Sequence, residues 1–124
     1  MQNFIITTLA GSFLLAACGA SYPAPQQKLA DAEAAHRSAR ELDADTKTTA
    51  QLNLKLAEEE IAAARSQMKA GENERAESTL LRAKADAELA LALAREHDAK
   101  GEVVKAVDTA NATQNARTNA NGGK

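Results

Sequence analysis

One side chain has a sequence context that indicates covalent chemistry, the thiol of Cys18. It is the only cysteine among the 124 residues, so the chain itself offers it no disulfide partner. An apolar stretch over residues 4–15 and two small residues, Ala16 and Ala17, precede it. The stretch has the length of a signal-peptide core, whereas a membrane-spanning helix needs about 20 residues. Residues 1–17 are therefore predicted to be a signal peptide.

The sequence Leu15-Ala16-Ala17-Cys18 resembles the lipobox of bacterial lipoproteins. The resemblance implies cleavage between Ala17 and Cys18, diacylglycerol transfer to the Cys18 thiol and acylation of the new amino group. Several acyl chains would hold the protein in the cell envelope without a transmembrane helix. Gly19 in the next position favours the outer membrane, facing the periplasm. The alternative is a cytosolic protein whose first helix is apolar and contains a cysteine.

The other reactive residue types form no pattern that indicates catalysis or metal binding. His36 and His97 lie on different predicted helices, and metal ligation needs further ligands at a fixed geometry. The three glutamates at residues 58–60 point about 100° apart on a helix, so they cannot converge on one ion. No His/Asp arrangement that would activate a nucleophile accompanies Ser66, Ser78 or Thr79. We therefore expect a protein that is not an enzyme, with no catalytic residues, no cofactor and no metal site.

Composition and charge narrow the class of protein further. The formal net charge is −2 and both signs are interspersed, so no basic block indicates a nucleic-acid partner. Beyond the signal segment the only aromatic residue is Tyr22, and large aliphatic residues are few. Alanine is abundant, has the highest helix propensity and lets helices approach closely. The sequence therefore predicts an all-α fold with thin helical packing.

Hydrophobic spacing predicts three helices, at about residues 27–42, 46–69 and 73–97, the third continuing toward Val107. Gly71 ends the second helix, and the short connection returns the third helix antiparallel to it. Asp43 or Asp45 is a candidate N-cap of the second helix. We thus expect an antiparallel helical hairpin with a preceding third helix, as a small three-helix bundle or coiled-coil-like domain. The predicted domains are a signal peptide (1–17), a lipidated tether (18–26), a helical domain (27–107) and a disordered tail (108–124).

Apolar residues at three- and four-residue intervals give each helix a candidate core stripe. The stripes are Leu29, Ala32, Ala35, Ala39 and Leu42 in the first helix, Leu54, Ala57, Ile61, Ala64 and Met68 in the second, and Ala76, Leu80, Ala83, Ala87, Ala90 and Ala94 in the third, which His97 continues. Over residues 85–94 the third helix is apolar on most of its circumference. Such a helix is covered on more than one side, so we expect the first helix or a second subunit to pack on it.

From Leu52 to Ala94 the chain resembles a small domain family of unknown function found in proteobacterial lipoproteins, sometimes ahead of an OmpA-like wall-binding domain. An alanine-spaced helix, a Lys-Ala-Gly-Glu turn and a second helix rich in Ala-x-Ala and Leu-Ala carry the resemblance. In this chain they read LAEEEIAAARSQMKAGENERAESTLLRAKADAELALALA. The resemblance implies a helical domain in an envelope lipoprotein.

These features predict a lipid-anchored bacterial envelope protein that acts as a structural or interaction module on the membrane, with another envelope protein as candidate partner. One alternative is a tether or spacer between membrane and peptidoglycan. The chain is similar to the murein lipoprotein of enterobacteria in its lipidated cysteine, its alanine-rich helix and a C-terminal lysine, Lys124. It departs from that protein, which has one uninterrupted helix, by its hairpin at Gly71. The other alternative is a homo-oligomeric coiled-coil adaptor.

Overall fold

The computed structural model describes residues 22–121, which form three α-helices and no strand. Helix α1 runs Gln26–Glu41, α2 runs Thr48–Lys69 and α3 runs Asn73–Asn121. Helices α2 and α3 form an antiparallel hairpin, and α1 packs against both. The all-α hairpin with a preceding helix is therefore confirmed.

The hairpin turn depends on Gly71, whose φ is +79°. Glycine adopts this left-handed conformation without the steric cost that a Cβ atom brings. The backbone N–H groups of Gly71 and Glu72 donate to the carbonyls of Met68 and Gln67, at 3.1 and 2.9 Å. These bonds satisfy carbonyl groups that a helix end leaves free. As a result, α2 ends at Lys69 and α3 turns back along it.

The connection between α1 and α2 differs from the sequence prediction. Neither Asp43 nor Asp45 caps α2, because Lys47 occupies the N-cap position with extended backbone and no side-chain cap bond. Asp43 instead has a φ of 52°, a left-handed conformation that Asp tolerates better than most residues. The Thr46 hydroxyl donates to the Asp43 carbonyl at 2.8 Å, which closes the turn.

The core is a narrow seam built mostly from alanine. All six expected stripe residues of α3 are fully buried, from Ala76 to Ala94, and the α2 stripe is buried from Leu54 to Ala64. Leu80 is the largest fully buried side chain. Because alanine ends at Cβ, it can fill an interface only where two backbones lie close together. The close approach of α2 and α3 is therefore required by the residues that line it.

The end of the bundle opposite the turn is closed by an ion pair between α2 and α3. Lys47 Nζ lies 3.0 Å from Asp98 Oδ2 and also donates to the Leu42 carbonyl. The hydrogen bond from Lys47 lowers the pKa of the Asp98 carboxyl below its ordinary value of 3.8. His97 lies beside this pair with 62% of its side chain exposed, so the buried stripe of α3 does not extend to it. The bundle ends at this level, and no helix remains to cover it.

Beyond Asp98, α3 continues as a single helix, and we call residues 99–121 the distal α3 segment. The sequence predicts a disordered tail from residue 108, whereas the structure is helical to Asn121. No glycine or proline interrupts residues 102–121, and the hydroxyls of Thr109, Thr113 and Thr118 donate to carbonyls four residues earlier. Every side chain from residue 102 to 121 is exposed, so this helix forms without burying a face.

The hydropathy of the helices bears on membrane insertion. Within residues 22–121, none of them combines the length and the apolar character that crossing a bilayer requires.

We expect Ala64→Leu to destabilise the bundle because Ala64 is fully buried in the seam between closely packed helices. Extra methyl groups in a packed core cost about 1–3 kcal/mol of unfolding free energy. Urea unfolding followed by circular dichroism measures the change. The neighbouring Ala63 is exposed, and Ala63→Leu is the matched control, with an expected change within about 0.5 kcal/mol. Equal effects of the two substitutions would contradict the packing argument.

Candidate functional site

The residues that the sequence singles out for covalent chemistry are Ala17, Cys18 and Lys124. All three lie outside residues 22–121, so signal cleavage, lipidation and wall linkage stay predictions. The structure does describe the segment that leads from Cys18 into the bundle. Tyr22–Pro25 has no regular secondary structure, and α1 begins directly after it.

This leading segment is attached to the turn end of the bundle. The Tyr22 hydroxyl donates to the Glu77 carboxylate, and the Asn73 side-chain amide donates to the Tyr22 carbonyl at 2.7 Å. Both partners belong to the start of α3, beside the Gly71 turn. Pro25 is buried. Part of the predicted tether is therefore fixed to the folded domain.

The Tyr22–Glu77 contact changes the acid–base behaviour of the phenol. The hydrogen bond to Glu77 raises the pKa of Tyr22 above its ordinary value of 10.0, because it favours the protonated phenol. Desolvation and the negative charges of Glu77 and Glu74 act in the same direction. From the sequence, Tyr22 is predicted only to be part of the tether. Its signal in the sequence was that it is the only tyrosine in the chain.

A groove of about 340 Å³ lies between α1 and α2. Charged and apolar side chains line it, namely Glu33, His36, Arg37, Glu58, Ile61, Ala62 and Arg65. Arg65 pairs with Glu33 at 2.7 Å across the groove, and the buried Nε2 of His36 has no hydrogen-bond partner in the described part of the chain. No serine, threonine or cysteine lines the groove, so His36 has no nucleophile beside it.

The acidic side chains at residues 58–60 diverge, as helical geometry predicts. Glu58 faces the groove, Glu59 lies 3.8 Å from Lys55, and Glu60 lies 2.9 Å from Arg82 on α3. Between Tyr22 and Asn121, no three His, Cys, Asp or Glu side chains gather closely enough to hold a metal ion.

The face of the hairpin away from α1 is less covered than the rest. On α2, Arg65 pairs with a residue of α1 and Glu60 pairs with a residue of α3. These two α2 residues lie about 140° apart around the helix. Leu52 and Leu56 precede Glu60 on α2, and Leu89 and Leu93 follow Arg82 on α3. Leu52 is 64% exposed and Leu89 is 47% exposed. We call the surface formed by Leu52, Leu56, Leu89 and Leu93 the open face.

Helix α1 covers residues 85–94 of α3 on one side only. Helix α1 does pack on α3, as the sequence predicts, and Leu91 and Leu93 are partly buried against the core. Leu89 points away from α1 and keeps almost half of its surface exposed. One packing helix therefore covers only part of the apolar circumference.

The distal α3 segment carries three exposed valines, Val103, Val104 and Val107. Val103 and Val107 share one side of α3 with Leu89 and Leu93, because residues 89, 93, 96, 100, 103 and 107 alternate intervals of four and three. The stripe predicted for the third helix contains only the core residues and does not include this second one. Its signal was the same heptad-like spacing on the other side of the helix.

The fold and these surfaces define a small all-α domain made of a three-helix bundle with one helix that extends beyond it. A family model matches residues 27–106, and the chain belongs to that family, the domain of unknown function DUF4398. The match confirms the predicted small domain of unknown function. It includes α3 past the end of the bundle, with Val103 and Val104. No curated protein and no solved structure matches the chain.

Removing the Glu77 charge should lower the pKa of Tyr22 toward 10.0, because the hydrogen bond that favours the protonated phenol is weakened. An ultraviolet absorbance titration of Glu77→Gln reports this directly, since the chain has one tyrosine and no tryptophan. Glu74→Gln is the control, with a smaller decrease, because Glu74 acts only through its charge and is the weakest of the causes. An unchanged Tyr22 pKa in Glu77→Gln would show that the segment is not attached as described.

Proposed function

We propose that this protein is a lipid-anchored component of a bacterial envelope that acts without enzymatic activity, as a structural or interaction module. The observation that carries the proposal is the attachment of Tyr22 to the start of α3 through Glu77 and Asn73. Cys18, with its lipobox-like context, lies only four residues before Tyr22. A lipidated Cys18 would therefore be connected to a fixed point of the bundle.

The short distance between Cys18 and Tyr22 limits where the bundle can lie. Four residues span at most about 14 Å when fully extended. With Cys18 lipidated, the turn end of the bundle would lie at the membrane surface. The apolar segment before Cys18 and Gly19 after it support the outer membrane, facing the periplasm, as the location.

The surface chemistry also supports a role in interaction. Ion pairs join the helices to one another, such as Arg65 with Glu33 and Arg82 with Glu60. Large apolar side chains are exposed on the open face and on the distal valines. An exposed apolar surface of this kind is typical of protein–protein contacts. The resemblance to domains of proteobacterial lipoproteins agrees with an envelope context.

Labelling of Cys18 tests the anchor. Cells that express the full chain are fed an alkyne analogue of palmitate, and the protein is recovered from membrane and soluble fractions. We expect the wild-type protein to be labelled and membrane-bound, and Cys18→Ser to be unlabelled and released from the membrane. Ser21→Ala, three residues away, is the control that should behave like wild type. A Cys18→Ser protein that is labelled and fractionates like wild type would contradict the proposal.

A tether or spacer that resembles murein lipoprotein is the second candidate function. The observation that favours it is the length of α3, whose 49 residues span about 74 Å. With Tyr22 held at the start of this helix, its distal end could lie far from the anchor. The open face supports the remaining alternative, a homo-oligomeric adaptor.

The covalent form of the tether requires a bond between the Lys124 side chain and peptidoglycan. Digestion of purified peptidoglycan followed by mass spectrometry should then give a muropeptide that carries Lys124. The linked species should disappear in Lys124→Arg and persist in the control Lys105→Arg. Absence of this muropeptide from wild-type cells would exclude covalent linkage.

A further inference from the structure

We propose that two copies of this chain form an antiparallel dimer in which the distal α3 segment of each copy packs on the open face of the other. Each interface would contain the distal valines of one copy and the open-face leucines of the second copy. The inference deepens the adaptor alternative by naming its surface, partner and orientation. It does not depend on lipidation of Cys18.

Exposed apolar residues of α3 lie on one side of the helix in a stripe that two charged residues interrupt, and we call this the outer stripe. Leu89 and Leu93 lie within the bundle, and Val103 and Val107 lie in the distal segment. Val103 is 63% exposed and Val107 is 52% exposed. An alternation of three- and four-residue intervals is the spacing that packs one helix along another in a coiled coil. The outer stripe therefore has the spacing of a helix–helix interface, but no second helix packs on it within one copy.

The charged residues of the outer stripe determine which helix can pack on it and in which direction. Between the leucines and the valines lie Glu96 and Lys100, which pair with each other on the exposed surface of α3. In a parallel dimer Glu96 would face Glu96 and Lys100 would face Lys100 of the second copy. In an antiparallel dimer centred near Asp98, each Glu96 faces Lys100 of the second copy. Opposite charges are favoured and like charges disfavoured in such contacts. The outer stripe of one copy is therefore complementary to that of a second copy only in the antiparallel direction.

The same alignment matches the apolar residues. When Glu96 faces Lys100 of the second copy, Leu93 faces its Val103 and Leu89 faces its Val107. The Glu60–Arg82 pair and the Lys47–Asp98 pair fix the register of α2 against α3, and this register places Leu52 and Leu56 beside the same stretch. The distal segment of the second copy would thus become a fourth helix on the open face. Antiparallel helices with a shared apolar core are the ordinary arrangement of four-helix bundles.

The distal α3 segment itself gains from this arrangement. In proteins most of the stability of a helix comes from packing an apolar face against other elements, and the distal α3 segment has no such packing. This segment contains Gly101 and three β-branched valines, all of which favour the helix less than alanine does. Packing on a second copy would bury the valines and protect the backbone hydrogen bonds.

The dimer also has a consequence for the orientation of anchored chains. Its two turn ends, each with an attached Tyr22, lie at opposite ends of the assembly. If both Cys18 residues were lipidated in one membrane, the dimer would lie along the surface rather than stand away from it. The dimer and the standing spacer are therefore different arrangements of the same chain.

The molar mass of the full chain tests the dimer. In a non-ionic detergent, size-exclusion chromatography with light scattering should give a protein mass of two copies, and the double variant Val103→Glu/Val107→Glu should halve it. The double variant Thr109→Glu/Thr113→Glu adds the same two negative charges on the opposite, exposed side of α3 and should leave the mass of two copies unchanged. Circular dichroism confirms that each variant is folded. A wild-type chain that has the mass of one copy over the whole concentration range would overturn the inference.

Exchanging the charges of Glu96 and Lys100 tests whether these residues pair between the two copies. Glu96→Lys alone and Lys100→Glu alone each place like charges opposite one another, and each should weaken dimerisation by at least about tenfold. The double variant Glu96→Lys/Lys100→Glu restores opposite charges and should return the dissociation constant to near the wild-type value. A double variant that is weaker than either single variant would contradict the pairing.

Disulfide formation distinguishes the two directions of the helices. In a Cys18→Ser background, chains with Leu93→Cys are mixed with chains that carry Val103→Cys and then oxidised. The antiparallel dimer gives the mixed disulfide and little disulfide between identical variants. A parallel dimer gives the reverse pattern, which would overturn the proposed geometry.

Discussion

The close approach of α2 and α3 is the constraint on which the rest of the structure depends. The seam between them is lined mainly by alanine, and alanine makes contact only when backbones are near each other. Gly71 permits the turn that brings the helices together, and the Lys47–Asp98 pair fixes them at the other end. A seam this narrow has little room for large side chains. Leu52 and Leu89 lie on other sides of their helices and are exposed on the open face.

The two ends of the bundle have different chemistry. At the turn end, Tyr22 and Asn73 attach the leading segment through hydrogen bonds, close in sequence to the predicted lipid anchor. At the other end, α2 stops and α3 continues alone with exposed valines. We infer that the first end serves attachment and the second serves association. Both roles need only surfaces and hydrogen bonds, which a thin bundle can supply.

The family model covers most of the bundle described above. The matched residues 27–106 contain the alanine seam, the Gly71 turn and the first part of the distal α3 segment. The structure thus assigns physical roles to parts of the matched region. The seam stabilises the bundle, whereas Leu89 and Val103 are exposed and do not contribute to its core. The proposed activity therefore rests on residues outside the core.

The sequence by itself determined the elements whose causes are local. Helical periodicity identified every buried apolar residue of α3, and the steric freedom of glycine located the turn at Gly71. Only the tertiary structure decided the features that depend on distant neighbours. Tyr22 finds Glu77 across 55 residues of sequence, and His97 is exposed because the bundle ends beside it. Periodicity shows which side of a helix is apolar, but the packing of the whole chain decides which apolar side is covered and which, like the open face, is left exposed.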